Sequence, residues 1–157
     1  MGTSINDRAL LANWGPVALW AALIFYFSTA AFSAPQTSHV LGPALTWLFP
    51  DISLDRFESI HLVLRKLGHW SEYFVFALLV LRALRRQSYG YPKLRHNAFT
   101  AAIVFFYAVS DELHQLFVPG RSASLADVLL DSLGGICAII WVHLRHKRKK
   151  NAPPKGD

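Results

Sequence analysis

Acids, a histidine and an arginine crowd the stretch SDELHQLFVPGRSASLADVLLDSLGG at 110–135. Asp111, Glu112, His114, Arg121, Asp127 and Asp131 sit there between two apolar runs, TAAIVFFYAV and ICAIIWV. A second group, Lys66, His69 and Glu72, opens another apolar run, KLGHWSEYFVFALLVLRAL. An Asp, Lys or Arg at the centre of a membrane helix costs about 2.5–3.5 kcal/mol, so such groups must compensate one another or serve a purpose. Carboxylates gathered beside a histidine are what acid–base chemistry requires. This reading assigns catalysis to His69, Glu72, Asp111, Glu112 and Asp127. His69 is the general acid or base, and Glu72 or Asp111 is its orienting partner. Lys66, Gln115, Arg121 and Asp131 fall to substrate binding. Arg121 is the best anion clamp, because a guanidinium takes a phosphate or carboxylate bidentately and stands here beside a helix N-terminus.

Two other uses of the same residues stay open. Asp111, Glu112, Asp127 and Asp131 offer oxygen ligands to a divalent cation such as Mg²⁺ or Ca²⁺. Their spacing matches no strong metal signature, and no cofactor is otherwise indicated. Alternatively the charges pair with one another and only hold the bundle together. Ser122 and Ser124 are candidate nucleophiles, but Ser124 is better placed as an N-cap with Asp127 at N3.

Convergence of these groups demands particular elements. Lys66, His69 and Tyr73 are spaced i, i+3, i+7; Asp111 and Gln115 are i, i+4; Asp127, Asp131 and Gly134 are i, i+4, i+7. On helices each set forms one stripe. Gly134 and Gly135 extend the last stripe with small residues that permit a close backbone approach.

The composition says where those helices lie. Of 157 residues 53% are hydrophobic and 17% charged, too apolar for an ordinary soluble domain of this length and consistent with a small integral membrane protein. The net charge of +6 resides mainly in two runs, RALRRQSYGYPKLRHN (82–97) and RHKRKKNAPPKGD (145–157). Both follow apolar segments, as cytoplasmic flanks do, so no nucleic-acid partner is expected. Cys137 is the only cysteine, which excludes an intrachain disulfide.

The predicted fold is all-α: a multi-spanning bundle of about four membrane helices, at 14–33, 66–84, 97–117 and 124–144. The first run also has the small residues of a secretory signal at its end, but it is longer than a signal core, and a retained helix is favoured. Residues 34–66 read as a Pro-marked loop. Within it 53–65 is an interfacial amphipathic helix, capped by Ser53, that runs into the second span. Residues 1–13 form a cytoplasmic N-terminus, 14–144 the membrane domain and 145–157 a basic cytoplasmic tail. With both termini inside, Lys66, His69 and Glu72, the 111–115 group, Arg121 and the Asp127–Asp131 pair all reach the outer end of the bundle. The uncharged stretches 73–81, 98–110 and 132–141 are too short to cross a ~30 Å core, so the acids must occupy its outer part as a wet or mutually paired cleft.

Three motifs, K-L-G-H-W-S-E-Y (66–73), D-E-L-H-Q-L-F-V-P-G-R (111–121) and S-L-A-D-V-L-L-D-S-L-G-G (124–135), resemble the VanZ-like family of small bacterial membrane proteins, and with hydropathy the resemblance covers roughly 15–145. The E-x-x-Q-x-F-x-P-G-R stretch is its specific part. Asp131 departs from the pattern, since many relatives carry Asn there. The resemblance implies a multi-pass protein of the bacterial cytoplasmic membrane, in a family named for a protein linked to teicoplanin resistance. It brings no settled activity. Three function classes are open: a membrane enzyme at the outer face acting on a lipid-linked or cell-wall substrate, a non-enzymatic envelope factor that binds lipoglycopeptide, lipid II or a partner protein, and an ion-coupled carrier. The expected partner is a membrane lipid or lipid-linked cell-wall precursor.

Overall fold

The computed structural model describes residues 5–87 and 93–150. Among them there are five α-helices and no strand: α1 Ile5–Phe27, α2 Ala34–Leu48, α3 Leu54–Gln87, α4 Lys93–Gln115 and α5 Leu125–Lys150, with a 3₁₀ turn at Ala30–Phe32. The expected basic loop at 85–96 and basic tail at 145–157 lie partly outside the described residues.

α3 is the axis of the bundle, packing against α5, α1 and α4. At ~1.5 Å per residue its 34 residues run about 51 Å, well beyond a ~30 Å hydrocarbon core. The amphipathic stretch 53–65 and the second span are therefore one continuous helix, whose first turns overhang the bundle. α1 runs antiparallel to it, fixed at one end by the Trp14 indole donating to Gln87 Oε1 (2.8 Å) and in the middle by Trp20 Nε1 donating to the Glu72 carbonyl (2.9 Å). Tyr107 on α4 adds a hydroxyl donated to the Ala21 carbonyl at 2.6 Å.

Two crossings of α5 depend on glycine. A Cβ on Gly134 would run into the Trp70 carbonyl of α3, and one on Gly135 would come within 2.7 Å of Val104 Cγ1 on α4. This is the close approach the paired glycines foretold.

The core is apolar, with Ile24, Phe76, Val80 and Val104 buried in it, but so is much of the surface. Leu10, Leu19, Phe106, Leu129 and Ile140 face outward, whereas Ser28, Asp111, Glu112, Gln115 and Asp131 are buried. An apolar exterior that encloses a cluster of buried polar groups is the arrangement of a bundle solvated by lipid. Three helices, α1, α3 and α5, are long and apolar enough to cross a membrane. α4 is of similar length, but its polar ends, with Lys93, Arg95 and His96 at one and Asp111 and Glu112 at the other, keep it out of that group, so the expected fourth span is not established.

Two sequence expectations are corrected. The segment expected as loop contains α2. Ser33 occupies its N-cap position and Pro35 falls in the first turn, where a missing N–H removes no helical bond, so this proline starts a helix. The first span also ends earlier, at Phe27 rather than at 33, because residues 28–33 turn back through the 3₁₀ segment.

Candidate functional site

Four chain segments meet at one end of the bundle: the end of α1, the middle of α3, the end of α4 and the loop into α5. Arg82, Arg85 and Arg86 lie toward the opposite end of α3. The sequence-predicted residues do converge here, in three distinct arrangements.

The first is a buried knot. Asp111 is 3% exposed, and its Oδ2 accepts hydrogen bonds from Ser28 Oγ at 2.8 Å and from Gln115 Nε2 at 3.0 Å. Gln115 Nε2 also lies 3.4 Å from the Ser28 hydroxyl. Asp111 thus ties α4 to α1. Ser28 escaped the sequence reading because an uncharged small residue ending an apolar run looks like helix packing. Its one signal is its i+4 relation to Ile24, which places it on the inward face.

The second is a braced loop. Val118–Arg121 closes through Arg121 N–H donating to the Val118 carbonyl (3.2 Å), with Pro119 and Gly120 at the two central positions. Gly120 has φ +76°, the left-handed value that the second central position of a type II turn requires. Beyond the turn, Ser124 N–H donates to Glu112 Oε2 at 2.7 Å, and Ser124 Oγ accepts from Ala126 N–H at 3.2 Å as the N-cap of α5. Glu112 therefore holds backbone. The turn swings Arg121 under α1, where Nη2 donates to the Phe27 carbonyl and Nε approaches the Thr29 carbonyl at 3.4 Å. The last carbonyls of a helix lack internal donors, and this guanidinium supplies them. Burial lowers the Arg121 pKa and neighbouring Arg65 adds to that, while Asp111, Glu72 and Glu112 act in the opposite sense. On α3, Lys66 pairs with Asp127 of α5.

The third is a pocket of about 250 Å³ lined by Arg65, His69, Glu72 and Arg121, with Phe27, Phe32 and Thr37 as its α1–α2 wall. Arg65, His69 and Glu72 are i, i+4, i+7 on α3, a stripe one residue round from the one read in the sequence, and Arg65 was missed for that reason. Behind His69 stands Asp131, fully buried, with Oδ1 3.9 Å from His69 Nδ1. Neither Asp131 oxygen, nor His69 Nδ1, nor the hydroxyl of buried Tyr73 makes a hydrogen bond among the described residues. His69 retains 19% of its side-chain exposure, so with Nδ1 turned inward, Nε2 is the nitrogen left for the pocket. His61, which carries no signal in the sequence, is buried, and its Nε2 lies 2.9 Å from Thr37 Oγ1, joining α2 to α3. His114 stacks on Phe25, ring centroids 4.3 Å apart, and takes no part in the pocket.

The candidate residues differ in the contacts they make. Asp111, Glu112, Asp127 and Lys66 are engaged in holding helices together, Gln115 supports Asp111, and Arg121 divides itself between α1 and the pocket. His69 and Glu72 stay available to a ligand. Among the described residues no three His, Cys, Asp or Glu side chains gather as a metal-binding group.

A family model described as VanZ/LLP1 matches residues 14–146 of the chain. No curated protein and no solved structure matches it.

Proposed function

The chain belongs to the VanZ/LLP1 family, and from that premise we propose that it is a cell-envelope membrane protein whose pocket performs acid–base chemistry on a lipid-linked or cell-wall substrate. The single observation carrying this reading is the pocket lined by His69, Glu72, Arg65 and Arg121 at one end of a bundle whose surface is largely apolar. His69 Nε2 exchanges a proton with the ligand, Asp131 steadies the ring from behind, and Glu72 is the second acid–base group. Arg121 and Arg65 draw an anionic part of the ligand into place. The arginines at the far end of α3 support a reading in which that end is cytoplasmic and the pocket belongs to the outer face of a bacterial cytoplasmic membrane. The family link to glycopeptide resistance fits a site facing the cell wall.

A second reading, a binding factor without turnover, draws on one specific observation: Asp111, Glu112 and Asp127 are occupied in internal contacts, leaving few groups for catalysis. His69→Gln and Glu72→Gln separate the two. Each should leave folded protein in the membrane at its normal level. On the enzyme reading each variant lowers activity by about 10²-fold or more and an envelope precursor accumulates, as loss of a positioned acid or base does. Normal precursor levels in both variants would leave the binding reading in its place.

A further inference from the structure

Next to the polar pocket lies a larger groove of about 540 Å³, mostly apolar, walled by Leu54, Phe57, His61 and Leu62 of α3 and by Pro35 of α2, with the Glu58 carboxylate on the same wall. The two spaces share Arg65, and the Thr37–His61 hydrogen bond joins the wall of one to the wall of the other. Arg65 makes no hydrogen bond or ion pair among the described residues. It nevertheless stands close enough to Arg121 for the two positive charges to disfavour each other. Arg121 already has Glu72 beside it on the pocket wall and Asp111 and Glu112 nearby, whereas Arg65 is left without an ion-pair partner among the described residues. Like charges crowded at a half-buried site are relieved by an anion placed between them, and two guanidinium forks suit the several oxygens of a phosphate. A small soluble anion would have no use for the apolar groove that begins at the same arginine, where Leu54 is 72% and Leu62 53% exposed.

Resting on the reading above, we propose that pocket and groove form one binding site for an anionic amphiphile. Its phosphate headgroup is held by Arg65 and Arg121, and its hydrocarbon chain lies between α2 and the overhanging turns of α3. This assigns the substrate class of the site. The headgroup reaches His69 and Glu72, and the chain leaves along the apolar wall toward the lipid.

The test uses the full chain in phosphatidylcholine vesicles with spin-labelled phosphatidic acid as probe and spin-labelled phosphatidylcholine as reference. The motionally restricted fraction of each reports its association with the protein. Phosphatidic acid should associate about tenfold more strongly than the reference, the scale of one lost charge-assisted contact. Arg65→Gln should remove most of that preference, and because Arg65 braces no other element its variant should melt at the wild-type temperature. Leu62→Gln, which alters the groove wall and no charge, should lower the preference as well. An unchanged preference in Arg65→Gln would overturn the proposal. So would displacement of the lipid by millimolar inorganic phosphate, which would mark a plain anion site. Lipid preference retained alongside unaffected envelope function in His69→Gln and Glu72→Gln would remove the acid–base reading and leave this one standing.

Discussion

Ser28 and Asp111 form the most deeply buried side-chain hydrogen bond between α1 and α4, and its energetics are set by asymmetry. A hydrogen bond made is worth about 0.5–1.5 kcal/mol net, but a buried carboxylate left short of a donor costs about 1–3 kcal/mol. Ser28→Ala should therefore lower the unfolding free energy in micelles by about 1–3 kcal/mol. Asp111→Ala removes the acceptor itself, so the double variant should fall short of the sum of the two single effects, a coupling measurable by a thermal-unfolding cycle. Additive losses would mean that the two side chains do not share this bond. The sequence made Asp111 conspicuous through its charge and left Ser28 unread, because a neutral donor becomes visible only once its partner is known. The same asymmetry explains Arg121. Its type and its tight turn were legible, whereas its use as a cap for α1 depends on where α1 stops.

At the scale of the elements, the α3–α5 crossing is governed by the Trp70 carbonyl lying where a Cβ of Gly134 would be. Backbone cannot yield as the tip of a side chain can, so Gly134→Ala must push the helices apart along their whole contact. It should cost about 1–3 kcal/mol, the usual range for overpacking, and Gly134→Val more, as read by the fraction of folded protein extracted from membranes. Wild-type yields from both would show that the crossing is looser than its geometry. Element identity was largely readable in the sequence, since helical stripes and long apolar runs identify helices directly. Boundaries were less so. α2 hid behind Pro35, which sits harmlessly in its first turn, and Pro43, which lies inside it. The join between the amphipathic stretch and the second span was legible as a direct run, though not as one unbroken helix.

At the scale of the molecule, an apolar surface encloses a polar end, and the acids that drew attention in the sequence turn out mostly to hold that end together. Their convergence was readable from spacing and topology. Which of them would be left over for a ligand was not, because it depends on side-chain pairing between helices distant in sequence, such as Lys66 with Asp127 and Glu112 with the Ser124 backbone. What is left is a pocket edged by His69, Glu72 and two arginines, which we propose holds an anionic amphiphile of the envelope. A photo-crosslinking residue placed at Phe32, on the pocket wall, and at Leu19, on the lipid-facing side of α1, tests this in growing cells. Mass spectrometry of the captured molecules should find one anionic amphiphile enriched at position 32 and bulk membrane lipid at position 19. The same mixture of lipids at both positions would contradict the account.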